Sequence, residues 1–101
     1  MTYVKLTLSC PAMLGEQVVE HLLASEWLED GLTTFAAQGH GRDFSQASLS
    51  EKVRGRVDVL SIVAILPAVN VAPLLAALRD RFRNPQMTYW TEPVHALGDF
   101  A

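Results

Sequence analysis

The chain has 101 residues, half of them hydrophobic and 19% charged, the profile of one ordinary globular domain with a single modest core. Its formal net charge of −3 argues against a nucleic-acid partner, because domains that bind nucleic acid are usually basic. One cysteine excludes an internal disulfide, and no apolar run reaches the roughly 18 residues of a membrane span.

Met1-Thr2-Tyr3 leads straight into an alternating segment, without the charged, apolar and cleavage regions of a signal peptide, so a cytoplasmic protein with no direct membrane insertion is expected. From Tyr3 to Ser9, Val4, Leu6 and Leu8 alternate with Tyr3, Lys5, Thr7 and Ser9, which predicts a strand. Pro11 suits the first turn of a helix, where its missing N–H leaves no bond unmade. Leu14, Val18, Val19, Leu22 and Leu23 recur at helical spacing, and the helix they predict ends near Ser25. Trp27 and Leu28, in the connector from Glu26 to Gly31, are expected to fold back under the core.

Thr33 to Gly39 predicts the second strand and Val57 to Leu66 the third. The third is apolar on both faces from Leu60 to Leu66, Ser61 excepted. A small antiparallel sheet usually wets one face. Helices can cover one side here, and a second subunit is the simplest cover for the other, so an oligomer is expected. Pro67 should stop the strand and Asn70 cap a second helix, with Pro73 in its first turn and Val71, Leu74, Leu75, Leu78 and Phe82 as its buried stripe. Asn84-Pro85 ends that helix, and Met87 to Glu92 reads as a fourth strand that Pro93 marks as an edge. The order is βαββαβ: an α+β, ferredoxin-like sandwich with a four-stranded antiparallel sheet, two helices on one face and a long loop between strands two and three.

That loop, from Gly39-His40-Gly41-Arg42 to Arg54-Gly55-Arg56, is far longer than the roughly four to six residues of most connections, which points to a working segment. Seven of the eight basic residues fall in two places: Arg42, Lys52, Arg54 and Arg56 in the loop, and Arg79, Arg81 and Arg83 at the end of the second helix. An acidic chain that segregates its arginines is arranged to present them to an anion. Cations at a helix C-terminus also stabilise the helix dipole by some tenths of a kcal/mol each, which alone would account for the second group.

The fold hosts many functions, so the residues must discriminate. Val57-Asp58-Val59-Leu60-Ser61-Ile62 lacks the stacking aromatics of an RNA-recognition motif. Cys10-Pro11-Ala12-Met13 has only the first sulfur of the Cys-x-x-Cys that holds a soft metal ion. Ser9-Cys10-Pro11-Ala12 lacks the arginine of an acylphosphatase-type phosphate loop. No Ser/His/Asp spacing stands out, and a lone cysteine is usually a small buried hydrophobe, so the expectation is a non-enzyme. His40 lies between two glycines and is the one candidate metal ligand, although a solvated histidine is the more frequent outcome.

A strand, then Gly39-His40-Gly41-Arg42, then a long loop and a strongly apolar strand within βαββαβ resembles the PII (GlnB-like) signalling proteins, whose corresponding loop is the T-loop. The likeness runs along almost the whole chain. It is nearest to a small uncharacterised PII-like branch often encoded beside heavy-metal efflux systems, through Leu6-Thr7-Leu8-Ser9-Cys10-Pro11, Leu74-Leu75-Ala76-Ala77-Leu78-Arg79 and Tyr89-Trp90 as well. The resemblance implies a single PII-like domain over residues 1–101, with residues 39–56 as the T-loop-like segment, in a homotrimer. An adenine nucleotide (ATP, ADP or AMP) would sit between subunits at Gly39, Gly41 and Arg42. Arg42, Phe44, Lys52, Arg54 and Arg56 would dock on a partner such as a heavy-metal efflux transporter in the membrane. Glycine N–H groups and an arginine fork suit a phosphate. The chain departs from the family where Phe82-Arg83-Asn84-Pro85-Gln86-Met87 replaces the glycine-rich, lysine-containing B-loop. Arg83 of a neighbouring subunit is the candidate substitute for that lysine. The loop also lacks the tyrosine that some T-loops carry for modification. The alternative is a trimer like the CutA divalent-metal proteins, with His40 and either Cys10 or His95 on a divalent metal ion; a purely structural trimer is the third.

Overall fold

The structure, a computed structural model, describes residues 1–41 and 55–101, so Arg42, Phe44, Lys52 and Arg54 lie outside the described residues. The described residues form β1 (Tyr3–Pro11), α1 (Gly15–Leu23), β2 (Thr33–Gly39), β3 (Val57–Pro67), α2 (Val71–Arg81) and β4 (Thr88–Pro93). The sheet order is β2-β3-β1-β4, and each neighbouring pair is antiparallel. This is the ferredoxin-like α+β sandwich that the sequence predicts.

Side-chain alternation decides the two faces. Leu6, Leu8 and Cys10 of β1 pair with Ala64, Ile62 and Leu60 of β3, and residues paired across an antiparallel ladder share a face. On this face Leu6, Leu8, Cys10, Ile62, Ala64 and Leu66 form one core with Val18 and Leu22 of α1 and Leu74 and Leu78 of α2. Both helices therefore cover the same side. Leu28 joins that core and Trp27 packs against it, as their position after α1 predicts.

Both strand-to-helix crossings share a device. Pro11 and Pro67 each end a strand with ψ at 136°, and a single 3-10 turn (Ala12–Leu14, Ala68–Asn70) leads into the helix. Proline fixes φ and has no N–H to withhold from a ladder that stops there. Pro11 thus closes β1 rather than opening a helix, and α1 begins at Gly15. A Cβ on Gly15 would sit 2.8 Å from Cδ2 of Leu60, so any larger residue at the start of α1 would push the Leu60 side chain aside.

Two expectations change at the helices. Leu23 is 58% exposed, because α1 can aim only one of the adjacent Leu22 and Leu23 into the core. Asn70 does precede α2, but its side chain makes no cap. Its Nδ2 instead donates to the Trp27 carbonyl at 3.1 Å, tying the α1–β2 connector to the start of α2.

Among the described residues, the other face carries no helix. It presents Tyr3, Lys5, Thr7 and Ser9 of β1, the alternate β3 residues Val57, Val59, Val63 and Ile65, Phe35 of β2 and Trp90 of β4, as the pairing register requires. Phe35 and Trp90 are each about half exposed. The Lys5–Glu92 pair at 3.7 Å is solvated on both sides and contributes little.

Candidate functional site

The sheet brings two sets of candidate residues to one end of the molecule but to opposite edges. At the β2 edge, Gly39 pairs with Val57 as the last rung of the β2–β3 ladder. His40 and Gly41 leave it exposed, and the chain returns through Gly55 and Arg56. Gly55 has φ of +73°, a left-handed value that favours glycine over residues with a Cβ. Arg56 is half-buried, and its Nε is buried without a hydrogen-bond partner.

At the β4 edge, α2 lies over β1 and stops short of β4, so Tyr89 and Thr91 stay exposed on the helix-bearing face. The gap is a groove of two adjoining cavities. One, of about 400 Å³, is lined by Leu75, Leu78, Arg79, Phe82, Arg83 and Tyr89, among others. The other, of about 490 Å³, continues past Leu75, Arg79 and Tyr89 to Val4, Val71 and Thr91. The connector from α2 to β4 shapes the near end: Asn84 Oδ1 accepts from the Gln86 N–H at 2.8 Å and the Asn84 carbonyl from the Met87 N–H at 3.0 Å. This tight turn delivers the chain from α2 into β4 with Arg83 on the groove rim. Arg81, by contrast, lies over the Phe82 ring, 5.2 Å from its centroid, and His21 meets that ring edge-on at 5.8 Å. Arg81 and Phe82 thus brace α2 against α1.

Within one chain the two sets do not meet. Ser9 pairs with both Thr88 and Ser61, and Ser61 with Phe35, so Gly39 and Arg83 share the same end of the strands. Yet β3 and β1 stand between β2 and β4, a separation of about 14 Å at about 4.8 Å per strand. Only a second copy could set the loop base of one chain beside the arginines of another. From sequence, Arg79 reads as one of the arginines offered to an anion or as a dipole partner, without a place in a named site, and Tyr89 differs from Trp90 only in the strand parity that turns it toward α2.

The candidate metal ligands are likewise dispersed. Cys10 is fully buried beside Leu60, and that burial pushes its thiol above the ordinary value, the character of a core residue. His40 follows the Gly39 end of the sheet, whereas His95 follows Val94, whose N–H donates to the Tyr3 carbonyl at the other end. Among the described residues, no group of three or more His, Cys, Asp or Glu could hold a metal ion. Nor is any described helix long and apolar enough to cross a membrane.

Comparison with solved structures gives the same architecture. A DUF3240 family protein from Shewanella baltica is similar at a TM-score of 0.79 and 22% identity, covering 100% of this chain and 99% of that one. CPII, a nitrogen regulatory PII-like protein from Thiomonas intermedia bound to ADP, AMP and bicarbonate, is similar at 0.71 and 17% identity over 99% of this chain and 98% of its own. A Bacillus cereus protein related to NIF3 is similar at 0.72 and 17% identity, with 97% of this chain covering 26% of that larger one. At these identities the likeness is one of fold. No curated protein matches the sequence. The model of the family of proteins of unknown function DUF3240 matches residues 1–101, and the chain belongs to that family.

Proposed function

We propose that this chain is a PII-like regulator, not an enzyme: a homotrimer of one domain, residues 1–101, that senses an adenine nucleotide at its subunit clefts and signals through the segment 39–56. The observation that carries the reading is the split site. A flexible-backboned loop base lies at the β2 edge and an arginine-rimmed groove at the β4 edge, at the same end of the strands. A ring of copies joins each β2 edge to a neighbour's β4 edge. The N–H groups at Gly39 and Gly41 then face Arg83 of the adjacent subunit across one cleft, and Arg42, outside the described residues, is the arginine we propose as their companion. Amides and guanidinium groups converging in this way bind phosphate oxygens. The fold likeness to CPII, which binds ADP, AMP and bicarbonate, supports this ligand class.

The loop's basic residues Arg42, Lys52, Arg54 and Arg56, with Phe44 as an apolar anchor, give the docking arm a cationic surface. Its partner in this reading is a membrane transporter of the heavy-metal efflux class. The metal-binding alternative through His40 gains no support from one chain, where His40, His95 and Cys10 lie apart.

Isothermal titration of the protein with ATP, ADP and AMP, with and without bicarbonate, tests the ligand. Binding should weaken about ten-fold or more in both Arg83→Ala and Arg42→Ala, the loss of one charge-assisted contact each. Absence of heat at millimolar nucleotide would remove the nucleotide from the proposal.

A further inference from the structure

We infer that the α2–β4 groove is a binding site, within one chain, for a small amphipathic anion: an aliphatic or aromatic body that ends in a carboxylate. Val71, Leu75 and Arg79 recur at every fourth residue of α2 and all line the gap, so one flank of the helix runs along it. That flank is apolar for two turns and then cationic. Leu78, Phe82 and Met87 continue the apolar wall beside Arg79, with Arg83 on the rim. The two adjoining cavities, about 400 and 490 Å³, each fall within the roughly 300–1,000 Å³ of small-molecule sites. Thr88 and Thr91, both in the lining, lie about 10 Å apart along β4 at about 3.3 Å per residue, which leaves room for a chain of medium length.

The charge balance selects the head group. In a chain of net charge −3, the described lining of this groove holds two arginines and no acid. Among the described residues neither guanidinium is held in an ion pair. An unpaired guanidinium beside an apolar wall offers a carboxylate a two-pronged, charge-assisted contact and gives up no partner to make it. Arg79 lines both cavities and takes the head group, while Leu75, Leu78, Phe82 and Met87 cover the body. Arg83 stays on the rim, available to the cleft proposed above. In the proposed ring, β2 of a neighbouring subunit would continue the floor past β4. Thr34 and Ala36 are the β2 residues on this face; both are small and exposed, so they extend the groove without filling it. The site itself requires neither the ring nor the nucleotide.

Methyl NMR on the whole protein with labelled methionine tests it, because the methionines report from different places. Met87 lines the groove, whereas Met1 and Met13 are 88% and 86% exposed. Titration with octanoate should move the Met87 signal saturably and leave Met1 and Met13 in place. Octanol has the chain without the charge and acetate the charge without the chain, and each should bind at least about ten-fold more weakly. Arg79→Gln, at an exposed position that does not threaten folding, should weaken octanoate about ten-fold and leave the weaker octanol binding unchanged. A Met87 signal that stays still, a shift shared by all three methionines, or octanol binding as well as octanoate would overturn the inference. A parallel titration with ATP keeps it apart from the proposed function: octanoate binding without nucleotide binding leaves the groove site standing, and the reverse result removes the groove site alone.

Discussion

On the proposed trimer, a neighbouring subunit covers the face of the sheet opposite α1 and α2, and one side chain makes that cover measurable. Phe35 lies on that face beside Ser61 and keeps 54% of its surface exposed. A phenylalanine offers roughly 200 Å² of area, so about 100 Å² stays wet, and covering it at about 25 cal/mol per Å² contributes about 2.5 kcal/mol per subunit. Three subunits together lose about 7 kcal/mol on Phe35→Ser, or roughly five powers of ten in the three-body association constant. Sedimentation equilibrium should show the wild type as three 11.1 kDa chains and the variant as one. Val69→Ser is the control: Val69 is 78% exposed, but it sits in the Ala68–Asn70 turn away from this face, and its loss should leave the assembly intact. Because Phe35→Ser also removes contacts within the chain, urea unfolding must show the variant still folded. A folded variant that stays trimeric would refute the expectation that a second subunit covers this face, and a monomeric wild type would refute the trimer.

Leu22→Ala in α1, at a side chain only 2% exposed, should lower unfolding free energy by about 2–5 kcal/mol in urea titration, the range for an unfilled core cavity. Asn70→Ala should cost about 1 kcal/mol through the orphaned Trp27 carbonyl, and Asn70→Asp should not restore it, because a carboxylate has no N–H to donate. Burial raises the Cys10 thiol, so above the ordinary thiol range the unfolded chain has released a proton that the native chain still holds. Stability attributable to this group is therefore complete at neutral pH and falls as pH rises past the ordinary value, a slope that Cys10→Ala should remove. A maleimide reagent should accordingly label Cys10 only after unfolding, which mass spectrometry reads directly.

What the sequence made legible was whatever local periodicity controls. Strict alternation at Val4, Leu6 and Leu8 announced β1, and the spacing of Leu74 and Leu78 announced the buried stripe of α2; both follow from how side chains project from strand and helix. Pro11 was harder, because one proline satisfies both a strand end and a helix start, and the choice went to the strand once Val59 paired with it. Leu23 could not be assigned without knowing that Leu22 already faces the core. Asn70 donates its Nδ2 to the Trp27 carbonyl, 43 positions away, and caps no N–H of its own helix. The groove was invisible for a stronger reason. It exists only because α2 leaves Tyr89 and Thr91 of β4 uncovered, and no pattern within either element records that offset.

The division of the candidate site between the β2 and β4 edges carries a consequence for regulation on the proposed reading. A ligand gripped by both edges binds the assembly and not the separate chain, so each occupied cleft stabilises the assembly by RT ln(1 + [L]/Kd). By reciprocity, assembly raises ligand affinity by the same factor. The segment 39–56 leaves the sheet from Gly39, at the very rung that the cleft would contact, so its base senses the ligand without any long-range path. One element is then biased from two sides, by the phosphate at its root and by the partner at its tip. Because binding is reciprocal, a docked partner must tighten the nucleotide as much as the nucleotide tightens the partner.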